Sequence, residues 1–142
     1  MSAPEIVITV LFNDVAQDPR LQTAHGMACL IEGAGRTILF DTGGDGHILL
    51  DNMKALGKDP AQVDCIVISH MHWDHSGGLF TFLREVGEIE VFMPKAISRD
   101  FRDHAAMLGA RVTVVDEPLK VATGVCVLTL GGIALTGVVA GG

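Results

Sequence analysis

The segment Val63 to Ser69 is a short apolar run that ends directly on His70-Met71-His72-Trp73-Asp74-His75. An apolar run of this length reads as a strand buried on both faces, which requires a layer of structure on each side of its sheet. The polar cluster therefore begins at the C-terminal end of a buried strand. The flanking chain fits such a sheet. Apolar periodicity predicts strands over Ile6 to Phe12, Gly26 to Ile31 and Thr37 to Phe40, the last after the turn signal Gly33-Ala34-Gly35, and together they read as a β-meander. Leu49, Leu50, Met53 and Leu56 recur at helical spacing within His47 to Leu56, which stops at Gly57 and is followed by the turn pair Asp59-Pro60. Beyond the histidines, Gly77 and Gly78 open a helix through Val86. A strand over Ile89 to Met93 ends at Pro94, a helix over Ile97 to Leu108 is closed by Gly109, and a strand spans Val112 to Val115. Strand and helix alternate, so the expected class is α/β (α+β), with a mixed, partly parallel sheet and helices packed on it.

Length and composition set the outer bounds. A chain of 142 residues is expected to form a single domain over 1–142, long enough to bury roughly two thirds of its unfolded surface. Charged residues make up 19% and hydrophobic ones 49%, the balance of an ordinary soluble protein. A net charge of −7 without clustered Lys or Arg argues against nucleic acid as a partner. Cys29, Cys65 and Cys126 are far apart in apolar stretches and read as buried thiols of a reducing compartment, with no disulfide framework. Glu5 precedes a short apolar run without a basic leader, so the start reads as a first strand and the cytoplasm is the expected address. The stretch 121–142 carries no charge, yet its six glycines and three threonines fit two strands joined by a Gly131-Gly132 turn, not a membrane span.

Three of the chain's six histidines fall within six positions beside an aspartate. In an extended loop, residues two apart point the same way, so His70 and His72 can present imidazoles to one ion, while Asp74 and His75, past a bend, face a neighbouring one. Imidazole with carboxylate suits zinc first, and iron and manganese are accommodated by such donor sets. A solvated polar loop is the alternative. His25 can approach the cluster from its strand or be an ordinary strand histidine. His104, in Phe101-x-x-His104-x-x-Met107-Leu108, reads as a structural residue beside the apolar face of its helix.

The motif His70-x-His72-x-Asp74-His75, preceded by Ile66-Val67-Ile68-Ser69 and followed by Ser76-Gly77-Gly78-Leu79, resembles the signature of the metallo-β-lactamase superfamily. Thr37-Ile38-Leu39-Phe40-Asp41-Thr42-Gly43 is similar to the strand and turn that lie beneath the metal loop in that family, with Asp41 shaping the site; Asp41 as a plain turn residue is the alternative. His25-Gly26-Met27-Ala28, with Asn52 and Leu56-Gly57 between the two blocks, resembles the branch containing the dihydropterin-type synthases of methanopterin biosynthesis.

The resemblance covers roughly Ile6 to Val115 and implies the first half of a four-layer αββα sandwich. It implies two divalent metals, His70 and His72 on the first, Asp74 and His75 on the second. It also implies a bridging hydroxide as nucleophile, with Asp74 orienting it or taking its proton, and a small-molecule substrate with an ester, phosphoester or thioester bond. The family's remaining ligands, a third histidine, a bridging aspartate and a last histidine, have no counterpart here. With two ligands per ion, metal is expected to be held loosely. A truncated product, a split protein completed by a second chain, and a homodimer of two first halves are the expected ways to account for this. A hydrolase is thus the leading expectation. A non-catalytic fragment or subunit needing a second half is the alternative, and a synthase or transferase of the pterin branch the third.

Overall fold

A computed structural model describes residues 5–33, 35–130 and 133–138. Six strands form one sheet whose spatial order is the order of the chain: β1 (Val7–Phe12), β2 (Ala28–Glu32), β3 (Ile38–Phe40), β4 (Cys65–Val67), β5 (Ile89–Pro94) and β6 (Ala110–Val115). β1, β2 and β3 are antiparallel neighbours, the expected meander, and β3 through β6 run parallel. Parallel neighbours need a crossover. The crossovers are α1 (Gly46–Ala55) between β3 and β4, then a single turn α2 (Trp73–Ser76) and α3 (Leu79–Val86) between β4 and β5, and α4 (Arg99–Met107) between β5 and β6.

Register explains why the central strands carry unbroken apolar runs. Leu39 lies opposite Ile66, and Ile66 opposite Val91, a row buried against Leu49, Met53, Leu79, Phe82 and Leu83 of α1 and α3. The alternate residues Ile38, Cys65, Val67 and Phe92 point to the other face, where Val121, Val125 and Val127 cover them. Those valines belong to a second, antiparallel sheet of β7 (Leu119–Ala122), β8 (Val125–Leu130) and β9 (Ile133–Val138). The layers are therefore helices, mixed sheet, second sheet, each apolar face of the mixed sheet having its own cover. Arg36 fastens the two sheets by donating to the Val121 carbonyl at 2.9 Å and to Glu90 Oε1 at 3.0 Å.

Several local expectations shift. The uncharged C-terminal stretch carries the two expected strands, β8 and β9, and a third, β7, precedes them from Leu119. Leu130 pairs with Ile133, and the Gly131-Gly132 turn between them lies outside the described residues, as does Ala34 of the Gly33-Ala34-Gly35 turn. No helix among the described residues is long and apolar enough to cross a membrane. The run Val63 to Ser69 pairs in the ladder only over Cys65–Val67: a turn of 3-10 helix, Pro60–Gln62, capped by the Asp59 side chain, lies just before it, and the Ser69 N–H at its far end turns to the Asp41 carboxylate. α4 begins at Arg99 because Ser98 caps it, its side chain accepting from the Phe101 N–H at 3.3 Å. Ile97, expected inside that helix, is buried just ahead of it.

Cys65, sealed between the sheets, has its thiol pushed up to about 11 by burial. Below pH 9 the thiol is protonated in both folded and unfolded chains; between pH 9 and about 11 only the unfolded thiol ionises, so stability falls across that window. Urea unfolding of wild type and Cys65→Val at intervals from pH 8 to 11 should show a steeper loss in wild type, and equal losses would mean that the thiol is accessible to water. At pH 8 the folded Cys65 should resist iodoacetamide.

Candidate active site

The histidine loop leaves the end of β4 through Ile68 and Ser69, both buried, and turns into α2 after His72. Its path is fixed by backbone bonds. The Ser76 hydroxyl donates to the carbonyls of Met71 at 2.8 Å and His72 at 3.1 Å, and Thr42 reaches the His75 carbonyl with its N–H at 2.8 Å and its hydroxyl at 3.0 Å. Met27 N–H donates to the Asp74 carbonyl at 3.2 Å. Gly26, at φ +140°, lies so close to that carbonyl that any Cβ would collide with it. The bend expected after His72 is the helical turn α2, and Gly77, expected to open a helix, closes this turn by donating to the Trp73 carbonyl at 2.7 Å.

Beneath the loop sits Asp41, fully buried and the only described residue other than glycine with positive φ, at +58°. A left-handed conformation costs a non-glycine residue about 1–2 kcal/mol, least for Asp and Asn. Four hydrogen bonds hold it there. Its N–H donates to the Val67 carbonyl at 2.8 Å. Oδ1 accepts from Ser69 N–H at 2.7 Å, and Oδ2 from the Ser69 hydroxyl and from His75 Nδ1 at 2.8 Å. Burial pushes the Asp41 carboxyl above its ordinary range, opposed by the bonds from Ser69 and His75. The alternative of a plain turn residue is set aside by this network.

The network also fixes which ring nitrogens face outward. The Ser69 hydroxyl donates to Asp41 Oδ2, and its oxygen lies 2.8 Å from His70 Nδ1, while His75 Nδ1 lies 2.8 Å from Asp41 Oδ2. Both imidazoles thus present Nδ1 to the Asp41–Ser69 pair and turn Nε2 away from it. Burial, and next the neighbouring His75, hold the His70 pKa below its ordinary value.

All the expected residues gather here. The His70 ring lies 4.7 Å from His72 and 4.3 Å from His75, centroid to centroid. Asp74 Oδ2 is 3.5 Å from His75 Nε2 and 3.3 Å from His25 Nε2. His25 joins the cluster from the loop before β2, not from a strand, with its Nδ1 3.3 Å from the Asp14 carboxylate. His104 instead stacks on Phe80, ring centroids 4.2 Å apart, as a packing residue. Among the described residues, no group of three or more His, Cys, Asp or Glu side chains is arranged to hold a metal ion.

Two contributors went unassigned from sequence. Ser69 bridges Asp41 and His70, and its signal was a hydroxyl at the last buried position before the cluster. Asn52 is buried on α1 among Leu49 and Met53. Its side-chain amide donates to the carbonyls of Leu11 at 2.8 Å and Gln22 at 3.0 Å and accepts from Gln22 N–H at 2.8 Å, tethering the loop that carries His25. An Asn in an apolar helical stripe was the clue.

Replacing Asp41 by Asn substitutes one acceptor with an amide that must confront the Nδ1–H of His75. The loss should be about 1–3 kcal/mol in urea unfolding, with a changed His75 tautomer in nitrogen NMR. An unchanged midpoint and an unchanged His75 spectrum would mean the carboxylate does not set the ring.

The chain has clear relatives. The sequence profile of the metallo-beta-lactamase superfamily matches residues 24–137, reaching past the Val115 limit expected from motifs into the second sheet. A 7,8-dihydropterin-6-methyl-4-(beta-D-ribofuranosyl)-aminobenzene-5'-phosphate synthase of Methanocaldococcus jannaschii is 31% identical over 131 residues, covering 77% of this chain and 44% of the synthase. The chain therefore spans less than half the length of that relative. Among solved structures, an N-acyl homoserine lactone lactonase superposes with a TM-score of 0.58 at 19% identity, over 78% of this chain and 54% of that one. A flavo di-iron protein of Thermotoga maritima superposes with a TM-score of 0.61 at 20% identity, over 95% of this chain and 37% of that one. These two likenesses concern the fold, and the profile and the synthase carry the family: with its helices on a mixed sheet and its histidine loop at the end of β4, the chain belongs to the metallo-beta-lactamase superfamily.

Proposed function

We propose that the histidine loop is one side of a two-metal hydrolytic centre, in which His70 and His72 serve one divalent ion and Asp74 and His75 the other. The observation that supports this is the Asp41–Ser69 pair, which engages Nδ1 of both His70 and His75 and turns each Nε2 away from it. A carboxylate behind an imidazole is the arrangement that orients metal-binding histidines and raises their basicity. The donor chemistry fits zinc first, and iron or manganese second. It fits in pairs, so we assign the completing donors to another segment, whether further chain of a longer protein or a second copy or partner chain. When bound, such ions bring the pKa of water toward neutrality and stabilise the anion formed at an attacked ester, phosphoester or thioester. Asp74, its carboxylate facing His75 and His25, is the group of this chain that would orient or take the proton of the attacking water.

A second reading has its own support. The 31% identity to the dihydropterin synthase over 77% of this chain favours a synthase or transferase chemistry at the same donors. Incubation with a dihydropterin precursor separates it from hydrolysis by the product formed. A chain that only scaffolds a partner's site would retain the fold without either activity.

Metal content per chain, measured with solution mass after purification without chelator, tests the main proposal. About two divalent ions per chain are expected in the completed assembly, lost in His72→Ala and Asp74→Ala. Asp41→Ala should weaken metal binding by about 10–100-fold. Substoichiometric metal that ignores all three substitutions would sink the proposal and leave a fold without its chemistry.

A further inference from the structure

β1 is an outer strand of the mixed sheet, paired with β2 alone. The ladder decides which of its backbone groups are left over. Asp41 N–H bonds to the Val67 carbonyl and the Thr37 carbonyl accepts from Cys65 N–H, so Ile38 and Phe40 of β3 turn their backbone groups the other way, to β2. They lie opposite Ile31 and Cys29, which leaves Leu30 and Glu32 of β2 to bond Thr9 and Val7 of β1. Ile8 and Val10 therefore direct N–H and C=O away from the sheet, and no further backbone bond among the described residues takes up those groups. The two residues are 55% and 47% exposed, and no charge or proline occurs from Ile6 to Phe12. The opposite edge, β6, is guarded by charge: Arg111 lies on it, bonded to Glu88 at 2.8 Å. An outer strand without such a guard is a template for another strand.

We propose that this edge pairs with the same edge of a second copy of the chain, antiparallel about a two-fold axis at Thr9. Self-complementarity selects the copy over an unrelated strand. With Thr9 facing Thr9, Ile8 meets Val10 of the other copy and Val10 meets Ile8, so each outward N–H finds an outward carbonyl and none is left over. A charged segment would instead set its charge against Ile8 and Val10. The same register brings Val7 of the other copy, 46% exposed, opposite Leu11, beside a cavity of about 520 Å³ lined by Leu11, Phe12, Val15, Leu21 and Leu56. A strip one strand long, about 20 Å, falls short of the roughly 1,000 Å² that a stable interface buries, so the dimer is weak and concentration-dependent. Each copy carries a net charge of −7, so salt strengthens the pairing. β1 ends at the candidate site, where Phe12 packs on Gly26 and Gly43. Antiparallel pairing therefore sets the two sites at opposite ends of the joined strands; it supplies no donor to the proposed metal centre and does not rest on it.

Sedimentation velocity of the purified chain across a wide concentration range should show a monomer–dimer equilibrium that shifts to dimer with salt. Ile8→Pro removes an outward N–H without touching the ladder to β2 and should weaken the dimer about tenfold, with Ile8→Val close to wild type. Cross-linking reads the register separately, in chains that keep the edge intact. Oxidised Thr9→Cys should give a disulfide-linked dimer, because facing residues at that position have Cα atoms about 4.5 Å apart. Ile8→Cys and Val10→Cys should not, their counterparts being diagonal at about 7–8 Å. The unsubstituted chain, with Cys29, Cys65 and Cys126 free, is the control. A chain that stays monomeric at every concentration, a dimer indifferent to Ile8→Pro, or cross-linking of Ile8→Cys in place of Thr9→Cys overturns the pairing. Amide exchange covers the other occupants: Ile8 and Val10 amides protected in the monomer mean that another segment of the chain lies on the edge, and the same amides exchanging freely in the dimer put the contact elsewhere. Either result overturns the pairing. Dimer formation through Thr9 in metal-free protein upholds it whatever becomes of the hydrolytic reading.

Discussion

A buried carboxylate must be given partners or it will not remain charged, and Asp41 is given them from two directions. Ser69 comes from the strand beside its own and His75 from the helical turn beyond, so three chain segments meet on one side chain. Burying it without those bonds would cost several kcal/mol. With them, the cost is turned into orientation. The same atom that satisfies its lone pairs with Ser69 and His75 decides which face of each imidazole remains available. The left-handed backbone at Asp41 belongs to this arrangement: it lets the chain end β3, bond to Val67 and still aim the carboxylate at the next strand.

Around that point the glycines act by omission. Gly26 and Gly44 give the Asp74 carbonyl and the Trp73 ring the space that a Cβ would occupy. Local conformational cost is thereby exchanged for close packing of the segments 25–27, 41–44 and 72–77. Asn52 performs the corresponding service at longer range, since its single amide satisfies backbone groups on both β1 and the loop behind it. The site is held mostly by main-chain contacts, which is why few of its supports show as conspicuous side chains.

This explains what sequence did and did not disclose. Period and motif were sufficient for the six-stranded mixed sheet, its meander, its crossovers and the clustering of His70, His72, Asp74 and His75, because burial on one or both faces writes itself into apolar spacing. The strand ends were less legible. Cys65–Val67 is shorter than its apolar run because hydrogen-bond pairing, not hydrophobicity, ends a ladder. The one-turn α2 was hidden because its stability comes largely from Thr42 and Met27, which are far from it in sequence. The second sheet was half visible: the glycine-spaced valines signalled strands, but not that Val121, Val125 and Val127 would roof the first sheet. His25 could be read either way, since only the fold shows that the loop before β2 delivers it to Asp74.

The order of strands in the large sheet repeats the order of the chain. Each strand is laid beside the one made before it, so a nascent chain emerging from the ribosome finds its next pairing partner already in place, and long loop closures are few. The residues around Asp41 all lie between positions 25 and 77. The polar centre can therefore assemble on β1 to β4 while β5 and β6 are still being synthesised, the Ile68 N–H finding the Phe92 carbonyl once the next strand docks. Synthesis from one end thus builds the chemical core first and its flank afterwards.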